Sequence, residues 1–262
     1  MSVPTLSIAF MALAMLFAFA TPFLLLAYYR KRGAQVLPFF VGCAVFIVFA
    51  LVLESLVHSI VLKGLPVGEK IMGSTWLYAL YGGLMAGLFE ETGRFLAFKV
   101  VLKKQRDNDR NALMYGAGHG GIECIILLGF AYVSNLIMSV MINTGMTDAL
   151  TAGLSGDMLT QVQAVFDTLT TTSPWTYLLA IVERCVAIVT HISLSVLVWF
   201  AAKKPGKLGL FPLAILLHAA LDGLTVILAA FLPVYAVEAC RVVMAVLLAL
   251  LARTVWKRNA EV

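Results

Sequence analysis

Long apolar runs separated by short polar or basic stretches set the pattern of this chain. Runs near 6–28, 36–62, 73–101, 111–140, 174–201, 208–230 and 234–256 each reach the roughly 20 residues that one helical crossing of a bilayer needs. They are too long and too continuous for strands, which run about 4–8 residues and alternate when half buried. The pattern predicts an all-α, polytopic membrane protein with about seven transmembrane helices. The helices form a single membrane domain over 1–262, with no stretch left over for a separate soluble one.

Composition agrees. Of 262 residues 61% are hydrophobic and 13% charged, about half the charge of an ordinary soluble domain. The first run starts after MSVPTLS, which carries no basic residue, and stops at Arg30-Lys31-Arg32. It reads as a span with a basic stop rather than a cleaved signal. In a seven-span arrangement the basic clusters at 30–32, 99–110, 203–207 and 253–258 share one face, and Lys63 and Lys70 lie on the other. Positive charge favours the cytoplasmic side, which predicts the N-terminus out and the C-terminus in, in a multi-pass protein of the cell membrane. The net charge of +5 thus follows from topology, and no nucleic-acid partner is implied.

The connection 141–173 carries Asp148, Asp157 and Asp167 and no basic residue, as an outer loop would. Within it Leu159, Val162, Val165, Phe166 and Leu169 recur at helical spacing. A helix lying on the membrane surface and an ordinary packed loop helix both produce that pattern. Cys43, Cys124, Cys185 and Cys240 lie one each in four spans without a CxxC pair, so no redox or zinc-ribbon motif is present.

The candidate chemistry lies inside the spans. Ionisable groups at membrane depth are rare and mark functional sites by default. Counted from the basic end of each helix, Glu90 and Glu91 on the third span lie roughly 14–15 Å deep and Arg94 about 9 Å. His119 and Glu123 on the fourth come out near 12 and 18 Å, His191 on the fifth and His218 on the sixth near 15 Å, and Asp222 near 21 Å. One intramembrane histidine is usually a satisfied packing residue; four helices of alternating direction with polar groups in one layer are not so readily accidental. HGGIE and HAALD put His119 with Glu123, and His218 with Asp222, at i and i+4 on one helix face. Glu90 and Arg94 share that spacing, so the arginine can partly neutralise the acidic pair, while adjacent glutamates point about 100° apart and only one faces the site directly. Glycines around His119 (GAGHGG) permit close helix approach.

A second group, Glu54, His58, Glu183, Arg184, Glu238 and Arg241, lies nearer the outer face with nearly balanced charge. It reads as structural ion pairs holding the second, fifth and seventh spans together, with His58 at the interface.

Taken in order, EETGR, GAGHGGIE, ERCVAIVTH and HAALD resemble the YhfC family of predicted intramembrane proteases. More distantly they resemble the PrsW and CPBP (CAAX-prenyl endopeptidase-like) proteases. The resemblance covers roughly residues 73–230, each motif being weak alone and the set fairly specific. The CPBP pattern pairs a double glutamate and a following arginine with a phenylalanine and histidine four apart, and then a histidine with Asn or Asp four later. Glu90, Glu91 and Arg94 match the first element with the arginine one residue closer; His218 and Asp222 match the last. In between, this chain has His119 and Glu123 instead of phenylalanine and histidine.

The resemblance implies an intramembrane endopeptidase acting on a membrane-protein or peptide substrate in the bilayer. The favoured arrangement has Glu90 or Glu91 as general base and His119 or His191 polarising the same water. His218 then donates to the developing oxyanion, with its tautomer held by Asp222 or a neighbour and with Arg94 and Glu123 in support. The favoured form needs no cofactor. A zinc-dependent form of the same protease, with His119, His191 and His218 plus a glutamate as ligands, has the right donor types, although no HExxH motif is present. A proton-coupled transporter would also place acids and histidines at membrane depth, but the layer is off-centre and no paired inverted repeat is visible. A non-catalytic, immunity-type membrane protein is the remaining alternative.

Overall fold

The computed structural model describes residues 2–261, and the fold is all-helical, with no strand among the described residues. The helices are α1 (Thr5–Lys31), α2 (Leu37–Gly64), α3 (Val67–Met72), α4 (Thr75–Leu96), α5 (Arg110–Asn143), α6 (Thr147–Thr151), α7 (Gly156–Thr171), α8 (Pro174–Lys203), α9 (Leu210–Ala229) and α10 (Val234–Asn259). Among the described residues six of them, α1, α2, α5, α8, α9 and α10, are long and apolar enough to cross a membrane. The chain is a multi-pass membrane protein. The third expected span, α4, is not among the six: Glu90, Glu91 and Arg94 lower the apolar character of this helix. Among the described residues four stretches widen into π-helix: Phe46–Glu54 and Ser59–Gly64 within α2, Ala97–Val101 directly after α4, and Ile125–Phe130 within α5. Such turns often accompany functional sites, and here two of them adjoin Glu54 and the EETGR segment.

The chain forms two compact units. One contains the residues up to Thr21 together with Cys124–Arg184; the other contains Pro22–Glu123 and the chain from Cys185 on. The first unit has its own core of Val3, Met11, Ile142, Phe166, Leu169 and Tyr177. Asn143 ties its ends, accepting from the Val3 N–H at 2.7 Å and donating to the Val3 carbonyl at 3.0 Å. Here α7 is the packed helix of the two alternatives, since Phe166 and Leu169 enter that core.

The second unit holds every candidate site residue. Its largest core gathers Phe98, Leu102, Tyr115, Leu194, Leu197, Trp199 and Phe200, all fully buried. At the basic end Asp109 closes the structure: it accepts from Trp199 Nε1 at 2.7 Å, Lys203 Nζ at 2.8 Å and the Glu261 N–H at 2.8 Å.

Close helix approaches, among them the following two, position the polar layer. Between α4 and α9, a Cβ on Gly83 would stand 2.3 Å from the Ala219 carbonyl oxygen, and one on Gly87 2.5 Å from that of Ile215. Between α2 and α5, a Cβ on Gly42 would meet the Tyr115 carbonyl oxygen at 2.3 Å, and one on Gly118 the Phe39 carbonyl oxygen at 2.0 Å. These neighbours are backbone and cannot swing aside, so small residues let the helices touch. Gly118→Ala should therefore push α2 and α5 apart and cost about 1–3 kcal/mol, the usual penalty of overpacking. Thermal unfolding in detergent measures the loss, and a variant as stable as the parent would mean the helices separate without cost.

Candidate active site

The EETGR segment lies on the last turns of α4, where Glu90, Glu91 and Arg94 are all buried. The two glutamates part as their spacing predicts, but with different partners from those expected. Glu91, not Glu90, takes Arg94: the guanidinium Nη1 donates to Glu91 Oε1 at i, i+3. Glu90 turns instead toward α5 and α8. His119 Nε2 lies 2.8 Å from Glu90 Oε2, and His191 Nδ1 lies 3.8 Å from the same oxygen. The rings of His119 and His191 are 4.7 Å apart, centroid to centroid.

The hydrogen bonds assign the tautomers. Arginine can only donate, so Arg94 Nη2, 3.1 Å from His191 Nδ1, makes that nitrogen an acceptor. The proton of His191 then sits on Nε2, which is 2.6 Å from Glu123 Oε2. The carboxylate of Glu123 thus turns the ring from behind while the Nδ1 lone pair faces Glu90 and Arg94. His218 is oriented in the same manner by a different acid: its Nδ1 lies 2.8 Å from Glu91 Oε1, and its Nε2 lies 3.4 Å from Asp222 Oδ2. Of the expected tautomer-setting partners, Asp222 or a neighbour, the shorter contact belongs to the neighbour Glu91, and the Asp222 side chain is 49% exposed.

Glu90, His119 and His191 each offer a ligand atom, and the three atoms lie within 4.8 Å of one another. A tetrahedral zinc with bonds of about 2.0–2.1 Å needs donors about 3.3 Å apart. The separations of 2.8 and 3.8 Å bracket that value, and two imidazoles with one glutamate are a donor set used by hydrolytic zinc sites. His191 already has the required tautomer, with its remote nitrogen on a carboxylate. His119 Nδ1 is buried without a hydrogen-bond partner, so its ring can shift the proton there and free Nε2. The residues fit a metal. Of the expected zinc set, His119, His191 and His218 with a glutamate, the group contains His119, His191 and Glu90 as the glutamate, while His218, whose Nδ1 lies on Glu91, is outside it.

All eight sequence-derived residues, Glu90, Glu91, Arg94, His119, Glu123, His191, His218 and Asp222, are joined by these contacts. The outer charges behave otherwise. Glu54 pairs with His58 on its own helix at 3.1 Å, and His58 Nδ1 reaches the Tyr81 hydroxyl on α4 at 3.0 Å. Arg184 donates to Glu183 at 2.6 Å and Arg241 to Glu238 at 2.8 Å. Tyr81 escaped the sequence reading because a phenol in an apolar helix carries no periodicity signal; its spacing from Glu90 shows only that it lies some 13–14 Å up the same helix.

Comparison with known proteins bears on the same segment. The family described as YhfC intramembrane metalloprotease matches residues 17–250. An uncharacterized membrane protein, YhfC of Bacillus subtilis (strain 168), is 36% identical over 214 residues, 81% of either chain. No solved structure matches.

Proposed function

We propose, on the premise that this chain belongs to the YhfC family of intramembrane metalloproteases, that it hydrolyses a peptide bond of a membrane-protein substrate at the Glu90–His119–His191 group. In this reading the three side chains hold a divalent metal, zinc by donor type. One observation carries it: three ligand atoms from three helices converge within 4.8 Å, on buried side chains, in the midst of apolar helices. When bound, the metal supplies Lewis acidity and a nucleophilic water at neutral pH.

The protein's own residues do the rest. Glu123 accepts from His191 Nε2 and keeps the Nδ1 lone pair on the reacting side. Arg94 Nη2 donates to that same lone pair, which fixes the tautomer a metal needs but occupies its ligand atom, so the guanidinium would have to release Nδ1 for a metal to bind there, while its other nitrogen anchors Glu91. Glu91 in turn receives the Nδ1–H of His218, whose Nε2 faces Asp222 Oδ2 at 3.4 Å. This is the carboxylate–imidazole arrangement that lets a histidine move a proton. His218 Nε2 takes the proton of the attacking water and returns it to the departing amine; while protonated it donates to the oxyanion. Burial of the group keeps bulk water from competing for these bonds.

A metal-free reading, with Glu90 as general base, draws on the 2.8 Å contact between Glu90 and His119, which already joins base and imidazole by hydrogen bonding. Metal analysis of purified, chelator-washed protein separates the two: about one equivalent per chain supports the first, and none in a protein that still cleaves supports the second. His218→Ala should lower kcat by about 10²–10³ and leave the metal content unchanged. Loss of metal in that variant would move His218 into the ligand set.

A further inference from the structure

The two sides of the polar layer differ. Toward the basic rim, Phe98, Tyr115 and Trp199 pack ring on ring, Phe98 against the other two with centroids 4.6 and 5.0 Å apart and no exposure. The Tyr115 hydroxyl is buried there without a hydrogen-bond partner, while the charged groups at the rim are closed on their neighbours. Asp109 is held by Trp199 and Lys203, and Arg106 Nη1 donates to the Ala202 carbonyl at 2.6 Å. On the other side polarity continues. Asp222, one turn of α9 beyond His218, is half exposed. Glu54 on α2 continues this polarity, and from Glu54 the hydrogen bonds run to half-exposed His58 and on to the Tyr81 hydroxyl.

We infer that water and the substrate backbone reach the Glu90–His119–His191 group from the face opposite the basic rim, past Asp222, Glu54, His58 and Tyr81. A hydrolytic site needs a polar entry, and packed aromatic rings without exposed polar atoms offer none. The substrate class follows: membrane proteins whose chain reaches the group through the half of the bilayer away from the basic loops, unwound locally so that its backbone groups can be paired along this polar side. Glu54 and His58 then serve as lining of the entry, with the His58–Tyr81 contact joining α2 and α4 beside it. The inference rests on the hydrolytic reading of the group, but its test does not use cleavage.

The test is sided thiol labelling. In a background lacking Cys43, Cys124, Cys185 and Cys240, single cysteines are placed by Asp222→Cys and Tyr81→Cys on the entry, by Phe98→Cys in the aromatic core and by Lys103→Cys on the basic loop as reference. A membrane-impermeant, sulfonate-bearing methanethiosulfonate is applied to vesicles of both orientations, with monodispersity in detergent as the folding control. Expected are labelling of Asp222→Cys and Tyr81→Cys only in the orientation in which Lys103→Cys is protected, and no labelling of Phe98→Cys in either. Labelling of the entry cysteines from the Lys103 face, from both faces or from neither overturns the inference, whether or not the protein cleaves anything. Labelling as expected in a protein without hydrolytic activity would leave the entry standing and remove the proteolytic reading.

Discussion

A Glu90→Gln variant is expected to lose cleavage by about 10³-fold or more and to purify without metal, while remaining folded. Glutamine keeps the shape of the side chain and one acceptor oxygen, so the 2.8 Å contact with His119 can persist in altered form. What disappears is the charge that a divalent cation and two neutral imidazoles require. His119→Ala and His191→Ala should behave in the same way. Glu123→Gln touches the metal only through His191, and outer partners of this kind typically cost about 10–100-fold. The measurement is paired: elemental analysis of chelator-washed protein alongside cleavage of a membrane substrate. If Glu90→Gln keeps its metal and His218→Ala loses it, the ligand group is wrong. If the parent protein cleaves without metal, Glu90 is the base of a metal-free site, and its glutamine variant is inactive for that reason instead.

The second large effect concerns Arg94, which is fully buried together with Glu91. Arg94→Ala leaves the Glu91 carboxylate in a low-dielectric interior with only His218 beside it. Breaking a buried pair from one side typically costs about 3–5 kcal/mol, enough to threaten folding of a chain stabilised by little more than that. Removing both charges should cost less, because neither is then stranded: the double variant Arg94→Met with Glu91→Gln should recover much of the thermal stability yet remain inactive, since His218 has lost its anchor. Unfolding in detergent, read against the parent, decides this. Equal loss in the single and double variants would mean that Arg94 stabilises the protein by packing alone. Arg94→Lys keeps a charge near Glu91 but not the planar fork that reaches Glu91 and His191 at once, so it should fall between the two.

Much of this protein could be read along one coordinate, distance along the helix axis. Because each residue advances about 1.5 Å, apolar run lengths predict the helices, and counts from the basic ends place Glu90, His119, His191 and His218 in one layer, where the structure indeed joins them. The i, i+4 spacing likewise marks the right faces of α5 and α9. What the chain's order does not contain is which face looks at which neighbour. Rotation about each axis is decided by packing, here by contacts such as Gly118 on Phe39 and Gly83 on Ala219, where only the missing Cβ lets backbones meet. That rotation gives Arg94 to Glu91 rather than Glu90, hands His218 to Glu91 rather than to the metal-capable group, and lets Glu123 turn His191 from behind. Composition also misleads at the polar layer: α4 lies outside the apolar helices because it carries Glu90, Glu91 and Arg94. The polar side of the layer and its aromatic opposite are invisible in one dimension for the same reason. Hydropathy reports how apolar a residue is, whereas access depends on whether rings such as Phe98, Tyr115 and Trp199 close on one another in space.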